Sequence, residues 1–251
     1  MEQSLAVVRD NPIALKIAIA FGLLVIFGLV ILGGVFMLGT FFFYDSYTSA
    51  YDYELSVSVD GATDELVILV PVPTMNEEAS LDELHISTSD RFSDIDTEVV
   101  ETQYGPMLRI EIGTVETGDR WHDLFITSRT SSDRTIETKD PRGQEPILAP
   151  LELIESQDDG YPDDRWPNRT SFDAISTAYI EHDGGEDVEI GVTVSYRGSN
   201  EWWTFGWSGN EYETVVWSDE IARDPTGTWI ELRGWHTEGS GRYPTFPPAP
   251  S

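Results

Sequence analysis

Carboxylates are the most conspicuous chemical groups in this chain. Asp158, Asp159, Asp163 and Asp164 follow one another closely in the loop QDDGYPDDRWPNRTS. Hard oxygen ligands at short spacing suit calcium, and a domain without disulfides could use the ion as a staple. The order does not match the D-x-[DN]-x-[DN]-G pattern of an EF-hand loop. The chain holds 45 acidic residues, so clusters also arise from composition alone. Two readings stand, a calcium loop and a solvated loop, and the composition favours the second. No other cofactor is expected. Asn168-Arg169-Thr170 in the same stretch is an N-glycosylation sequon, which would mark location and not activity.

The second concentration is aromatic. Six of the eight tryptophans fall between Trp202 and Trp235. Read as a strand, Trp203, Phe205 and Trp207 share one face and Trp202 takes the other. That pattern predicts Trp203 and Trp207 in the core, with Trp202 exposed. The alternative is a stacking surface for sugar rings or a partner protein, because Trp joins a large apolar area to one polar handle. Trp202, Trp203 and Trp207 are therefore the candidate binding residues.

Catalytic patterns are absent. There is no cysteine, no H-E-x-x-H and no P-loop. Gly206-Trp207-Ser208-Gly209-Asn210 approaches G-x-S-x-G but fails at the last position. His122 and Asp123 are adjacent, so on a strand they point to opposite faces and make no dyad. His85, His182 and His236 lack metal-ligand spacing. Acid pairs suited to glycoside hydrolysis do not stand out from so acidic a background. No catalytic residue is assigned, and an enzyme is not the expected reading.

The elements that carry these residues begin with a membrane segment. Ile17 to Tyr44 has no charged residue. As a helix it would span roughly 42 Å, against a hydrocarbon core of about 30 Å. Asn11 and Pro12 fit the N-cap and first helical positions. Lys16 can snorkel to one interface, and Tyr44, with Phe41 to Phe43, makes an aromatic belt at the other. Arg9 and Lys16 flank the N-terminal side, and the next cation beyond the helix is Arg91. The positive-inside rule then places residues 1–16 in the cytoplasm and the rest outside. The run is too long for a signal-peptide core, and no A-x-A follows it, so a retained anchor is the better reading. Ala14, Ala18 and Gly22 form a small-residue stripe that would suit a helix-mediated dimer.

Arg9, Lys16, Glu2 and Asp10 cancel, so the whole net charge of -30 belongs to the segment after the helix. Lys16 and Lys139 are the only lysines. This acidic, lysine-poor composition resembles that of haloarchaeal, salt-adapted proteins, and the resemblance implies self-repulsion that high salt must screen. Such a polyanion excludes nucleic acid as an electrostatic partner.

After the helix, Tyr51 to Val59 alternates cleanly, and Glu65 to Val72 returns as a more buried strand, with Pro71 and Pro73 marking its end or an edge. Met75 to Ser87 is ambiguous, with Leu81 and Leu84 allowing a short helical turn. Strands follow at Glu98–Thr102, Met107–Ile112 and Trp121–Thr127. The polar stretch Thr130–Pro146 reads as a domain boundary or a long connection between sheets. Further strands are Ile147–Glu155, Ala174–Glu181, Val188–Tyr196, Trp202–Trp207, Tyr212–Trp217 and Thr228–Trp235. Residues 237–251 read as a disordered Gly/Pro-rich tail.

The expected architecture is an all-β ectodomain, residues 45–236, on a single transmembrane helix, residues 17–44. The ectodomain is an antiparallel β-sandwich in one unit or two, the latter divided as 51–129 and 147–236. The expected role is that of a membrane-anchored cell-surface protein that binds other surface proteins or glycans, or organises the envelope. The rivals are a membrane-tethered hydrolase of envelope polymers and an accessory subunit of a membrane complex.

Overall fold

A computed structural model describes residues 12–116, 122–155, 169–185, 187–218, 227–244 and 248–250. Helix α1, Pro12–Ser46, carries the uncharged run. It is long and apolar enough to cross a membrane, and an apolar window of its span Leu15–Ser46 is unburied by other parts of the chain. The helix runs two residues past Tyr44, and only Tyr47 separates it from the first strand.

The β portion is one antiparallel sheet of thirteen strands that curls nearly into a barrel. In chain order they are β1 Thr48–Asp60, β2 Leu66–Met75, β3 Glu78–Ala79, β4 His85–Thr88, β5 Phe92–Thr102, β6 Gly105–Val115, β7 His122–Ser132, β8 Ile147–Ala149, β9 Glu152–Glu155, β10 Thr170–His182, β11 Glu189–Trp203, β12 Trp207–Trp217 and β13 Thr228–Gly241. The lateral order is β4-β7-β1-β11-β12-β13-β10-β2-β6-β5, with β3 and β8 beside β2 and β9 beside β10. The strands after Thr130–Pro146, β11, β12, β13 and β10, sit between two blocks from before it, β4-β7-β1 and β2-β6-β5, so that stretch connects strands of one sheet. The core is the inward set of each strand: Leu55, Val57 and Val59 of β1, Ile190, Val192 and Val194 of β11, and Leu66, Ile68 and Val70 of β2 are all buried. Period-two alternation with one face dry is the pattern of a half-buried antiparallel strand.

Four local expectations are corrected. Met75–Ser87 holds no helical turn. Asn76 and Glu77 have φ of 54° and 68°, which closes β2 onto β3 through a two-residue turn with both central residues left-handed. β2 also passes through its prolines. It pairs with β6 as far as Pro71 and with β8 from Val72, so the prolines sit where the strand changes partner. Trp202–Trp207 is not a continuous strand, because the chain reverses over Thr204–Gly206 between β11 and β12.

The C-terminal segment is the fourth. β13 continues to Gly241, with Glu238 and Ser240 buried. The Tyr243 hydroxyl lies 2.8 Å from Thr138 Oγ1, and Arg242 accepts from Asn210 Nδ2 at 3.0 Å. Glycine here serves close approach and not looseness. A Cβ on Gly241, at φ 106°, would fall 2.3 Å from the Gly209 carbonyl oxygen.

The connection from β7 to β8 is tied down by buried polar groups. Glu145 accepts from Arg134 Nη1 and Nη2, both at 2.7 Å, from the Tyr51 hydroxyl at 2.6 Å and from the Glu137 amide at 2.7 Å. Tyr212 donates to the Pro146 carbonyl at 2.6 Å, and Asn200 brackets Ile136 through both its amide atoms. Buried polar groups satisfied this fully fix one loop conformation.

Candidate functional site: an acidic aromatic groove

Five neighbouring strands put one residue each into a single outward row. Trp229 of β13 is opposite Tyr179 of β10, which is opposite Leu69 of β2. Leu69 is opposite Arg109 of β6, which is opposite Glu98 of β5. Directly opposed residues on one face are in side-chain contact range. Beside this row lie Val67, Glu181, Val100, Glu101 and Glu65, and together they line a groove of about 650 Å³.

One end of the groove is aromatic. The rings of Trp229 and Tyr179 lie 5.3 Å apart. Tyr104, in the turn between β5 and β6, meets Trp229 edge-on at 4.7 Å. The tip of the β5–β6 hairpin therefore lies beside Trp229. Thr102 holds the turn, its hydroxyl donating to the Gly105 carbonyl at 2.8 Å and accepting from the Tyr104 amide at 3.0 Å. Tyr179 donates to Glu181 at 2.8 Å, and this bond, more than burial, holds the phenol above its ordinary pKa. Gly227, at φ 85°, passes over that hydroxyl, where any Cβ would collide with it.

The other end is charged. Arg109 Nη1 is 3.1 Å from Glu98 Oε1, and its second guanidinium nitrogen pairs with Glu111. Glu65, Glu98, Glu101 and Glu181 outnumber this one cation. A smaller hollow of about 220 Å³ continues the groove along Glu65, Val67, Glu181, His182 and Asp183. Asp183 organises its rim. Its carboxylate accepts from Thr63 Oγ1 at 2.7 Å, the Asp64 amide at 2.9 Å and the Glu65 amide at 3.0 Å. The hydroxyl bond first, then the Glu65 amide, hold its pKa below the usual carboxylate range.

A second constellation has the outline of a nucleophile, a base and an acid. Thr214 Oγ1 lies 2.7 Å from His236 Nδ1, and His236 Nε2 lies 3.3 Å from Glu238 Oε1. Arg142 pairs with Glu238 at 2.8 Å and covers the Phe172 ring. Thr214, His236 and Glu238 are all buried, and neither groove borders them. The arrangement satisfies buried polar groups across β12 and β13.

The sequence candidates separate. Asp158, Asp159, Asp163, Asp164 and Asn168 lie outside the described residues. Among the described residues no cluster of three or more His, Asp or Glu is placed to hold a metal ion. The tryptophans reverse the expected exposure. Trp202 is buried at 4%, Trp203 is half-buried, and Trp207 is exposed at 70%. The turn at Thr204–Gly206 breaks the alternation on which the expectation rests. Lys16 is exposed near the start of α1 and Tyr44 is exposed near its end. Of the small-residue stripe, the Ala14 side chain lies outside the described residues.

Trp229, Tyr179, Tyr104 and Arg109 were missed in the sequence. Tyr179 and Glu181 do share a face by their spacing, but the row across five strands depends on lateral register. Comparisons with protein-family models, with curated proteins and with solved structures give no match.

Proposed function

We propose that this chain is a single-pass, membrane-anchored binding protein. The N-terminus is cytoplasmic, and the β domain on the cell surface takes a cationic segment of a partner protein in the acidic aromatic groove. The observation that carries this reading is the row Trp229, Tyr179, Leu69, Arg109 and Glu98, with surplus carboxylates around it. A guanidinium or ammonium over an aromatic ring gains about 0.5–2 kcal/mol, and a flanking carboxylate adds up to about 1 kcal/mol. Several such contacts in one groove give usable affinity. The uncharged run of α1 supports the anchor, and Arg9 and Lys16 on one flank support the orientation. The acidic, lysine-poor composition fits a salt-rich setting.

The test uses the full chain in lipid nanodiscs and an Arg-containing decapeptide at 1 M salt, where long-range attraction is screened. Trp229→Ala and the pair Glu98→Gln with Glu101→Gln should each weaken binding roughly tenfold, or about 1.4 kcal/mol. A charge-matched control pair, Glu54→Gln with Asp133→Asn, should leave it within about twofold. Equal losses in groove and control variants would reduce the attraction to net charge and refute the groove.

A further inference from the structure

The turn between β11 and β12 is packed on the helix. Trp203 meets Phe42 edge-on with ring centroids 5.2 Å apart, and Trp202 meets Phe43 at 5.9 Å. The Trp203 amide donates to Ser46 Oγ at 2.7 Å. Phe205 reaches further along α1. Its Cε2 lies 3.0 Å from where a Cβ on Gly39 would sit, so the ring packs directly over the glycine and a side chain there would push it outward.

Phe205 holds this place at φ 59°, a left-handed conformation uncommon for a bulky residue. Such backbone persists where the surroundings over-determine it, and it is enriched at functional positions. The rings at this turn nevertheless remain uncovered. Phe205 is 64% exposed and Trp207 is 70% exposed, alongside exposed Phe41, Phe42 and Tyr44 of the helix.

Depth along the helix decides what covers them. The span Leu15–Ser46 has 32 residues, or about 48 Å, against a hydrocarbon core of about 30 Å. Shared between two headgroup zones, the surplus is roughly 9 Å at each end. Gly39 lies about 10 Å before Ser46, which is the edge of the hydrocarbon. Aromatic rings concentrate at that level.

We infer that the β11–β12 turn is a second membrane contact, with Phe205 and Trp207 seated in the lipid interface beside α1. The inference rests on the reading that α1 spans the bilayer. The lipid interface is the occupant because the Phe205 ring is continuous with the apolar surface of the helix that enters it.

The chain has no cysteine, so single cysteines can be labelled without background. Phe205→Cys, Trp207→Cys, Leu29→Cys and Glu98→Cys would each carry an environment-sensitive fluorophore in the full chain in phosphatidylcholine liposomes. Lipids bearing a nitroxide at the headgroup or deep in the acyl chain then report depth. The labels at 205 and 207 should be quenched several-fold more by the headgroup nitroxide than by the deep one. The label at 29 should show the reverse, and the label at 98 should resist both. Labels at 205 and 207 that behave like the label at 98, while 29 is quenched, would overturn the second contact and leave the anchor standing. Loss of quenching at 29 as well would overturn the anchor and the inference with it. Trp207→Cys alters an exposed side chain, so its result stands even where Phe205→Cys disturbs the turn.

Discussion

Asp183 shows how one carboxylate shapes a binding surface from its rim. Three donors converge on it, and they fix the loop of Thr63 to Glu65 that supplies an acidic wall of the groove. Because the donors favour the ionised form, its pKa in the fold lies below the unfolded value. The stability this gives is therefore fully present above the ordinary carboxylate pKa of about 3.9 and is lost as pH falls through the lowered folded value. Asp183→Ala should cost modest stability at neutral pH, since the group is exposed and water screens it. The difference between the variant and the natural chain should shrink on acidification below about pH 4. Chemical denaturation across a pH series measures this, and a gap that stays constant into strong acid would rule out the carboxylate as its source.

At the scale of elements, the link from β7 to β8 is the longest stretch without regular pairing among the described residues, yet it behaves as part of the core. Ile136, Thr138 and Glu145 within it are buried. Glu145 joins Tyr51 of β1 to Arg134 and the Glu137 amide. Removing one partner of a buried charged cluster leaves the others unsatisfied, which costs about 3–5 kcal/mol. Arg134 is half-exposed and can turn to water, so Glu145→Ala should fall near the lower end of that range. Tyr51→Phe, which removes one donor and keeps the ring, should cost only about 1 kcal/mol. Thermal melts of both variants check this. Equal effects would mean that the Glu145 carboxylate contributes no more than its one bond from Tyr51, and would refute its role as the group that holds the link.

Across the whole molecule, charge governs how stability responds to conditions. A net charge of -30 sits almost wholly on the segment after α1, and among the described residues few carboxylates are buried with cations as Glu145 and Glu238 are. The Debye length is about 10 Å at 0.1 M salt and about 3 Å at 1 M. Neighbouring carboxylates repel across the first distance and scarcely at all across the second. A domain has only about 5–15 kcal/mol of net stability, so the summed repulsion is large enough to matter. The melting temperature should rise steeply between 0.1 and 2 M KCl, with NaCl acting nearly alike. Calcium should add little beyond its ionic strength. A large extra gain at micromolar calcium would instead favour a metal site in the loop of Asp158 to Asp164. A flat melting temperature across the salt series would remove the salt-adapted reading.

Much of the fold was legible in the sequence because its signals are local. An uncharged apolar run must be a long helix, since no other single segment satisfies its own backbone in lipid. The alternation in Tyr51–Val59 and Val188–Tyr196 fixed which face of β1 and β11 is buried, because side chains on a strand repeat every two residues. The C-terminal glycines misled for the opposite reason. Gly/Pro-rich composition reads as loose chain, whereas Gly241 is held at φ 106° with the Gly209 backbone passing beside it. Trp202 was assigned to the wrong face because one turn at Thr204–Gly206 resets the alternation. The groove was out of reach of any local reading. Alternation says which way a side chain points but not which strand lies alongside, and Trp229, Tyr179, Leu69, Arg109 and Glu98 come from five separate stretches of sequence. Only the lateral order of the sheet brings them into one row.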